Sequence, residues 1–363
     1  MRPFRKKIMI NERAVGPGEP VYFVADIASN HDGDLERAKE LIHKARLAGA
    51  DAVKFQHFIA EKIVSDYGFR SLGRQVGHQS AWTKPVFDIY RQYECNRSWS
   101  GELSAAAKAE GIHFFTTPYD MDALHLLDPL VPAWKIGSGD ITWTDFIHQV
   151  ASLGKPVMIA AGASDLEDVR RAVTTAASVN DQLVLLQCNT NYTGSLDNFR
   201  HVNLRVLRLF ADEFPDIILG LSDHTPGHSA VLGAVTLGAS VIEKHFTDDN
   251  SRSGPDHGFA MNPKSWREMV DRTLETAAAL GDGIKRIEAN EIDTVIVQRR
   301  CLRYRRSLAA GTRINRNDIE ALRPAPEGSI EPWRLEKILE RRLDRQVEAG
   351  EAVKWEDLEG ETC

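Results

Sequence analysis

Two histidines occupy matching positions behind two apolar segments of the sequence. Residues 217–221 are apolar and lead to His224, and the apolar pair 241–242 leads to His245. An apolar helical stretch joins the two segments, which predicts a parallel β–α–β unit. The carboxyl ends of neighbouring parallel strands meet at one edge of a sheet, where polar side chains line a site instead of the core. A single histidine there is most simply a partly buried structural residue, but the matched pair favours one shared metal ion.

Two lysines, Lys54 and Lys135, stand inside short apolar runs at the ends of other predicted strands. Lysine is almost never buried without a partner, so an ion pair inside the fold is one interpretation. The other is a doubly anionic ligand, because these lysines and the hydroxyls of Thr117, Ser138 and Ser222 suit a phosphate and a carboxylate. With the histidines, the pattern indicates a site for a small phosphorylated acid and a polar, carbonyl-bearing partner.

Eight strand patterns alternate with helical patterns over the first 280 or so residues, which predicts a (β/α)₈ TIM barrel in the α/β class. A doubly wound sheet would also alternate, but the count of eight and the span favour the barrel. Residues 60–96 interrupt the alternation and are expected to be an active-site insertion with some helix near 86–93. The predicted strands are 21–25, 52–56, 113–119, 133–140, 157–162, 183–190, 217–221 and 241–242.

The sequence after the barrel does not alternate between strand and helix patterns. It has short strand patterns and several glycines instead. We expect a barrel domain over residues 1–282, a charged linker over 283–298 and a small β-rich domain over 299–363.

Composition narrows the classes of protein to which the chain can belong. The net charge of −7 and the lack of a long basic run argue against a nucleic-acid surface. No apolar segment has the length of a signal peptide or a membrane span. The four cysteines are widely spaced, so a reducing, cytoplasmic setting is expected. Cys188 ends an apolar run and is interpreted as a buried structural thiol, not a nucleophile.

Several ordered motifs make the chain resemble the sialic acid (N-acetylneuraminate) synthase family, whose members condense phosphoenolpyruvate with an N-acylated sugar. The resemblance extends from about Val21 to Leu358, and the tail looks like the antifreeze-like (SAF) domain of these enzymes. The motifs are Asn30-His31-Asp32-Gly33, Lys54-Phe55-Gln56, Thr117-Pro118-Tyr119, Lys135-Ile136-Gly137-Ser138-Gly139, Ser222-Asp223-His224-Thr225, Glu243-Lys244-His245-Phe246 and Gly254-Pro255-Asp256-His257.

The resemblance implies an activity and a set of roles. The reaction would join phosphoenolpyruvate, water and an amino-sugar aldehyde similar to N-acetylmannosamine or a 2,4-diacetamido-trideoxyhexose, giving a nonulosonic acid and phosphate. His224 and His245 would hold a divalent ion, manganese before magnesium or cobalt, and Asp26 would act beside the reacting carbon. The residues implied for phosphoenolpyruvate are Lys54, Thr117, Lys135, Ser138, Thr190 and Ser222. Those implied for the sugar are Gln56, Asp140, Tyr192, Asp256 and Arg323.

Four positions depart from the pattern of the family. Asp26 and Asp140 replace glutamates, Ala160 replaces a serine, and Ala325 replaces a glycine. These changes motivate one alternative, a sugar-binding paralogue without catalysis, although the retained histidines and lysines favour an enzyme. A barrel aldolase with Lys135 as a Schiff base, or a metal-dependent hydrolase, is the other alternative. A hydrolase would require more metal ligands, such as a His-x-His pair, and the sequence has none on the first strand.

The resemblance also implies a domain-exchanged homodimer in which Arg323 reaches the N-acyl group bound by the partner subunit. We therefore expect Arg323→Ala to raise the KM for the acceptor sugar and leave the KM for phosphoenolpyruvate nearly unchanged. Steady-state kinetics with each substrate varied in turn measure both constants. An equal loss for both substrates would contradict the cross-subunit role.

Overall fold

The computed structural model describes residues 3–360, and the chain divides between Gly281 and Asp282 into two compact units. The first unit begins with an antiparallel hairpin of β1 (Ile8–Ile10) and β2 (Arg13–Val15), which the sequence analysis did not anticipate. Ile8 and Ile10 pack against the buried residues at the starts of two barrel strands, Tyr22 and Val241. The hairpin thus closes the amino-terminal end of the barrel and leaves the other end for the site.

Eight parallel strands form the first unit's central sheet, as predicted for a (β/α)₈ barrel. In the sheet their order is β5-β4-β3-β10-β9-β8-β7-β6, and β5 and β6 also lie side by side, which closes the barrel. The strands are β3 (Tyr22–Asp26), β4 (Ala52–His57), β5 (His113–Pro118), β6 (Trp134–Ile136), β7 (Val157–Ala160), β8 (Leu183–Cys188), β9 (Ile218–Asp223) and β10 (Val241–His245).

Helices follow the strands and cover the outside of the barrel. Their buried faces meet the outward side chains of the strands in one apolar cluster. The helices of this unit are α1 (Leu35–Leu47), α2 (Ala60–Ile63), α3 (Asp66–Ser71), α4 (Val86–Gln92), α5 (Ser100–Glu110), α6 (Met121–Leu127), α7 (Thr144–Ser152), α8 (Leu166–Ala177), α9 (Val206–Glu213), α10 (Ser229–Thr236) and α11 (Pro263–Leu280). None of the helices within residues 3–360 is both long and apolar enough to cross a bilayer.

Four strands, β5 to β8, end earlier than the sequence predicted; β5 stops at Pro118 and β7 at Ala160. β6 stops at Ile136 because residues Ser138–Asp140 turn into a 3-10 helix, in which the Asp140 amide donates to the Gly137 carbonyl at 3.1 Å. β8 stops at Cys188. The shorter strands place Ser138, Asp140 and Thr190 in loops above the barrel, where backbone geometry is free to aim them inward.

The second unit has its own apolar core around Leu302, Tyr304 and Ile314. Its one regular strand pair in the described residues is antiparallel, and isolated bridges continue the β structure, as expected for the small β-rich domain. Part of the predicted linker is helical. The elements are α12 (Ile292–Gln298), β11 (Cys301–Tyr304), β12 (Ile319–Leu322) and α13 (Leu335–Ile338).

A buried ion pair joins β9 and β10 on the outer face of the barrel, close to the two histidines. Lys244 and Asp223 are each 2% exposed, and Lys244 Nζ lies 2.5 Å from Asp223 Oδ2. Lys244 also donates to the Thr225 carbonyl at 2.6 Å, and the Thr225 hydroxyl donates to Asp223. Because side chains alternate along a strand, this lysine points away from the barrel interior, to which its neighbours Glu243 and His245 point.

Removing the lysine of this pair would leave a buried carboxylate without its counter-ion. We expect Lys244→Met to lower the free energy of unfolding by about 3–5 kcal/mol. Urea unfolding monitored by circular dichroism measures the change. The double variant Asp223→Asn/Lys244→Met should recover much of the loss, and an unchanged single variant would show that the pair contributes no stability.

Candidate active site

Asp26 lies where three neighbouring strands bring polar side chains together. In the parallel register Asp26 on β3 is opposite Lys54 on β4 and His245 on β10. Its Oδ2 atom is 2.6 Å from Lys54 Nζ and 3.6 Å from His245 Nε2, and it accepts a 3.1 Å hydrogen bond from Gln56 Nε2. Alternate residues of a strand share a face, so Lys54 and Gln56 both point into the barrel.

The two lysines singled out in the sequence converge on one carboxylate. Lys54 and Lys135 have side chains that are each 3% exposed, and their Nζ atoms lie 3.9 Å and 3.5 Å from Glu243 Oε1. Burial lowers the pKa of Lys54, but Asp26 and Glu243 raise it by more, so the ammonium stays charged. The structure thus shows the lysines ion-paired around one carboxylate inside the barrel, and their binding of an anionic ligand stays a prediction.

Glu243 is a residue of this site to which the sequence analysis gave no role. It accepts from the Ser222 hydroxyl at 3.2 Å, while its other carboxylate oxygen is buried without a hydrogen-bond partner. The parity of β10 could have identified it, because Glu243 is two residues before His245 and must share its face. Thr117 stands on the far side of Lys54, with Oγ1 at 3.4 Å from Nζ.

His224 and His245 lie side by side, with ring centroids 5.3 Å apart. His224 Nδ1 is 2.9 Å from the carbonyl of Asn189, which can only accept, so Nδ1 carries a hydrogen and Nε2 is the atom left to bind a metal once it is deprotonated. His245 Nδ1 is buried and has no hydrogen-bond partner. The donor atoms of these two imidazoles suit a shared divalent ion. No group of three or more His, Cys, Asp or Glu side chains in the described residues could hold a metal, so such an ion would have only two protein ligands.

The two imidazoles differ in their affinity for protons. Burial and then the charge of His224 lower the pKa of His245 well below its ordinary value, so His245 is neutral, as a ligand must be. Burial also lowers the pKa of His224, but Cys188, the Asn189 carbonyl and Asp223 together raise it by more, so the pKa lies above its ordinary value. Cys188 is buried, as the sequence predicted, and its Sγ atom lies 3.9 Å from Thr190 Oγ1 at the site.

The hydroxyls of Ser138 and Thr190 meet over the glycine turn that follows β7. The Gly162 amide donates to Ser138 Oγ at 3.0 Å. A Cβ atom on Gly162 would lie 1.9 Å from Thr190 Oγ1 and 2.8 Å from Ser138 Oγ. Only glycine lets the two hydroxyls lie this close to the backbone at position 162. Ala160, at the end of β7, is buried in the barrel's inner cluster and contributes no hydroxyl.

A cavity of about 400 Å³ opens above these groups. Asp26, Lys54, Lys135, Thr117, Ser222 and His224 are buried at its base. Residues with predicted roles that line the cavity are Gln56, Ser138, Asp140, Thr190, Tyr192, His245 and Asp256. The structure therefore brings together all the predicted site residues of the first unit; Arg323 belongs to the second unit.

Two carboxyl groups give the cavity its acidic side. Burial raises the pKa of Asp140 to about 6, and Asp140 Oδ2 is buried without a hydrogen-bond partner. Burial also raises the pKa of Asp256 to about 6, although the Ser29 amide donates to its Oδ2 at 3.2 Å and lowers it. Hydrogen-bond donors of a ligand, such as hydroxyl or amide groups, would satisfy both carboxyls.

A buried histidine holds the loop that carries Asp256. His257 Nε2 lies 2.9 Å from Asp32 Oδ1, and His257 Nδ1 lies 2.7 Å from the Thr247 hydroxyl. The carboxylate must accept, so Nε2 carries the hydrogen and Thr247 donates to Nδ1. The loop after β10 is thereby tied to the loop after β3, which explains why Asp256 lies beside Ser29 at the end of β3.

The insertion covers the cavity with three short helices, where the sequence predicted helix only near residues 86–93. The Ser65 side chain accepts from the Gly68 amide and caps α3, a local signal that the sequence analysis passed over. Side chains of the insertion that line the cavity are Ile63, Val64, Phe69, His78, Trp82, Ile89, Tyr90 and Tyr93.

Comparisons with known proteins agree with this arrangement. The NeuB family matches residues 41–285 and the SAF domain matches residues 299–359. The N,N'-diacetyllegionaminic acid synthase of Legionella pneumophila is 35% identical over 350 residues, covering 95% of this chain and 96% of the relative. The N-acetylneuraminate-9-phosphate synthase of Homo sapiens is 32% identical over 276 residues, covering 76% of this chain and 75% of the relative.

Solved structures show the same fold over most of the chain. The spore coat polysaccharide biosynthesis protein SpsE of Bacillus subtilis superposes with a TM-score of 0.64 at 28% identity, covering 98% of this chain and all 100% of that one. The N-acetylneuraminic acid synthetase of Leptospira borgpetersenii superposes with a TM-score of 0.70 at 26% identity, covering 81% of this chain and 97% of that one. The chain therefore belongs to the NeuB family of nonulosonic acid synthases and carries a carboxyl-terminal SAF domain.

Proposed function

We propose that this protein condenses phosphoenolpyruvate with an N-acylated amino-sugar aldehyde similar to N-acetylmannosamine, giving a sialic-type nonulosonic acid and phosphate. The observation that carries the proposal is the convergence of Lys54, Lys135, Asp26, His224 and His245 at the base of one cavity in a NeuB-family barrel. A pure sugar-binding protein has no use for two buried ammonium groups beside two imidazoles.

Phosphoenolpyruvate would occupy the base of the cavity. Its phosphate and carboxylate together need several donors, and Lys54, Lys135 and the Ser222 hydroxyl are buried there around Glu243. Thr117 extends this set on one side. The hydroxyls of Ser138 and Thr190 lie near each other beside Gly162 and extend it further. Buried ammonium groups bind anions more strongly than exposed ones because little water screens them.

The sugar aldehyde would lie above, with its hydroxyl and amide groups directed at Gln56, Asp140, Tyr192 and Asp256. A divalent ion held by His224 and His245, manganese before magnesium or cobalt, would polarise the aldehyde oxygen. The new carbon–carbon bond joins C3 of phosphoenolpyruvate to the aldehyde carbon, and the aldehyde oxygen takes up a proton. Water then adds to C2, and the resulting adduct expels phosphate.

Asp26 would accept the proton of the attacking water. Lys54 keeps its carboxylate close at 2.6 Å, and Gln56 donates to the same oxygen, so the group is held in one orientation. His245 lies 3.6 Å from this carboxylate, so a water bound beside Asp26 would also be near an aldehyde held at His245. A general base must lie within hydrogen-bond reach of the proton that it removes, and such a water would satisfy that requirement.

A homodimer with exchanged SAF domains would complete the site. In it, Arg323 of each chain would contact the N-acyl group bound by the other chain. The resemblance to sialic acid synthases and the SAF match over residues 299–359 support this assembly.

Phosphate release from phosphoenolpyruvate, measured with manganese and a panel of N-acylated hexosamines, tests the reaction. We expect release that depends on both an acceptor and the metal and that stops when a chelator is added. His224→Ala and His245→Ala should each lower kcat by more than about 100-fold, because each removes one of the two metal ligands. Titration calorimetry with Mn²⁺ should show weaker binding in both variants.

A histidine outside the barrel provides the matched control. His43→Ala removes a 3.0 Å side-chain contact with Glu110 on the helical surface and should leave metal binding and turnover as in the wild type. Full metal-stimulated activity in either ligand variant would contradict the metal assignment, and failure to bind phosphoenolpyruvate would contradict the roles of Lys54 and Lys135.

The raised pKa of Asp140 predicts a pH dependence of acceptor binding. With a pKa of about 6, above the ordinary 3.8, the carboxyl is mainly protonated at pH 5 and ionised at pH 8. A carboxylate accepts stronger hydrogen bonds than a protonated carboxyl group does. The KM for the acceptor sugar at saturating phosphoenolpyruvate should therefore fall as the pH rises through about 6. Asp140→Asn should reduce this fall and leave the part due to Asp256. An identical pH profile in the variant would exclude Asp140 from the sugar site.

A further inference from the structure

His245 lacks the hydrogen bond that orients its neighbour His224. His224 donates from Nδ1 to the Asn189 carbonyl at 2.9 Å, whereas His245 Nδ1 is buried without a hydrogen-bond partner. On the other side of the ring, His245 Nε2 lies 3.6 Å from Asp26 Oδ2, which is too far for a hydrogen bond. A histidine that binds a metal usually donates its second ring nitrogen to a carbonyl or a carboxylate, and that bond fixes the ring. The orientation of His245 must therefore come from packing.

Phe259 is the aromatic residue whose ring lies nearest to His245. The two ring centroids are 4.9 Å apart at an interplanar angle of 65°, and the Phe259 ring lies 5.9 Å from that of His224 at 72°. Tyr192 also contacts both imidazoles, at 4.3 Å from His224 and 6.1 Å from His245, and its ring lies 5.6 Å from that of Phe259. Edge-to-face contacts at such distances are favourable and depend on the angle between the rings. Phe259 thus packs against every ring of this group.

The backbone beside Phe259 is anchored to the strand that carries His245. The Met261 amide donates to the His245 carbonyl at 2.8 Å. The Asn250 side chain donates to the Ala260 carbonyl at 2.7 Å. Because the residues that follow Phe259 are held in this way, its ring has a fixed position relative to the His245 imidazole.

The other side of Phe259 is closed by the loop after β8. Phe259 is 8% exposed, and a Cβ atom built on Gly194 would lie 3.0 Å from Phe259 Cβ. Gly194 also has a φ of +64°, a left-handed conformation that favours glycine. The loop can therefore pass close to Phe259, whose ring packs against the imidazoles on the opposite side.

Given the metal ion proposed above for His224 and His245, we propose that Phe259 is a positioning residue of the metal site. It fixes the His245 ring in place of a hydrogen bond and shields the two imidazoles from water. An apolar cover of this kind controls how much solvent reaches a metal, and thereby its affinity. Within residues 3–360, Phe259 is not among the residues that line the cavity, so it would act through the histidines and not by touching a substrate.

Titration calorimetry of the full-length, metal-free protein with Mn²⁺ tests this role. We expect Phe259→Ala to weaken Mn²⁺ binding by about 10- to 100-fold, as the loss of a residue that supports a metal ligand usually does. With the protein in excess, the bound Mn²⁺ should also relax water protons faster in this variant, because more water reaches the ion. Phe259→Leu keeps a large apolar side chain and should recover most of the affinity. Phe259→Val should give an intermediate loss, and it carries the test if the alanine variant does not fold.

Phe58→Ala is the matched control for a general loss of packing. Phe58 is 5% exposed, and in the described part of the chain its ring packs against Tyr90 and Tyr119 and against neither metal-binding histidine. We expect urea unfolding to show a comparable loss of stability in Phe58→Ala and Phe259→Ala, while Phe58→Ala binds Mn²⁺ as the wild type does. Equal weakening of Mn²⁺ binding in both variants would overturn the positioning role.

The outcomes separate this inference from the proposed function. Wild-type binding of Mn²⁺ that Phe259→Ala leaves unchanged, in both affinity and water relaxation, would overturn the role of Phe259 while the metal assignment stands. A wild-type protein that binds no Mn²⁺ would overturn the metal assignment and the role of Phe259 with it.

Discussion

The buried ion pair between Asp26 and Lys54 is the interaction on which the site depends. The parallel register of β3 and β4 places the two residues side by side, and their charged atoms lie 2.6 Å apart. Removing two such charges from water costs several kcal/mol per ion, which the pair alone does not recover. The surrounding polar groups supply the rest: Gln56 donates to the carboxylate, and Glu243 lies within 3.9 Å of the ammonium.

The charges at the base of the cavity balance one another. Lys54 and Lys135 are matched by Asp26 and Glu243, so this part of the barrel carries no large uncompensated charge. One Glu243 oxygen nevertheless lacks a hydrogen-bond partner, as does His245 Nδ1. Such unsatisfied buried atoms lower stability, and a ligand with matching polar groups would satisfy them. The outer pair of Lys244 and Asp223 shows the contrast, because its hydrogen bonds are complete and it serves the fold.

The sequence predicted the barrel and most of the residues at its base because both depend on local patterns. A strand buried on both faces is an apolar run, and a lysine inside such a run, as at Lys54 or Lys135, stands out against it. The position of Glu243 between the two lysines depends on strands far apart in sequence, so the local pattern could place it at the rim without revealing its partners. The covering helices were missed for a related reason. α2 and α3 are four and six residues long, too short for a helical periodicity, and both pack against α4, which a local pattern does not reveal.

The base and the wall of the cavity are therefore built from different kinds of structure. The positions of the residues at the base depend on the register of the strands, which fixes Asp26, Lys54 and His245 relative to one another. The wall rests on an insertion whose short helices are positioned by aromatic contacts, so its chemistry can vary without moving the base. Asp140 stands between them, on a turn after β6, with one free carboxylate oxygen. A barrel divided in this way can keep one carbon–carbon bond-forming chemistry while the insertion and the loop residues decide which sugar aldehyde reaches it.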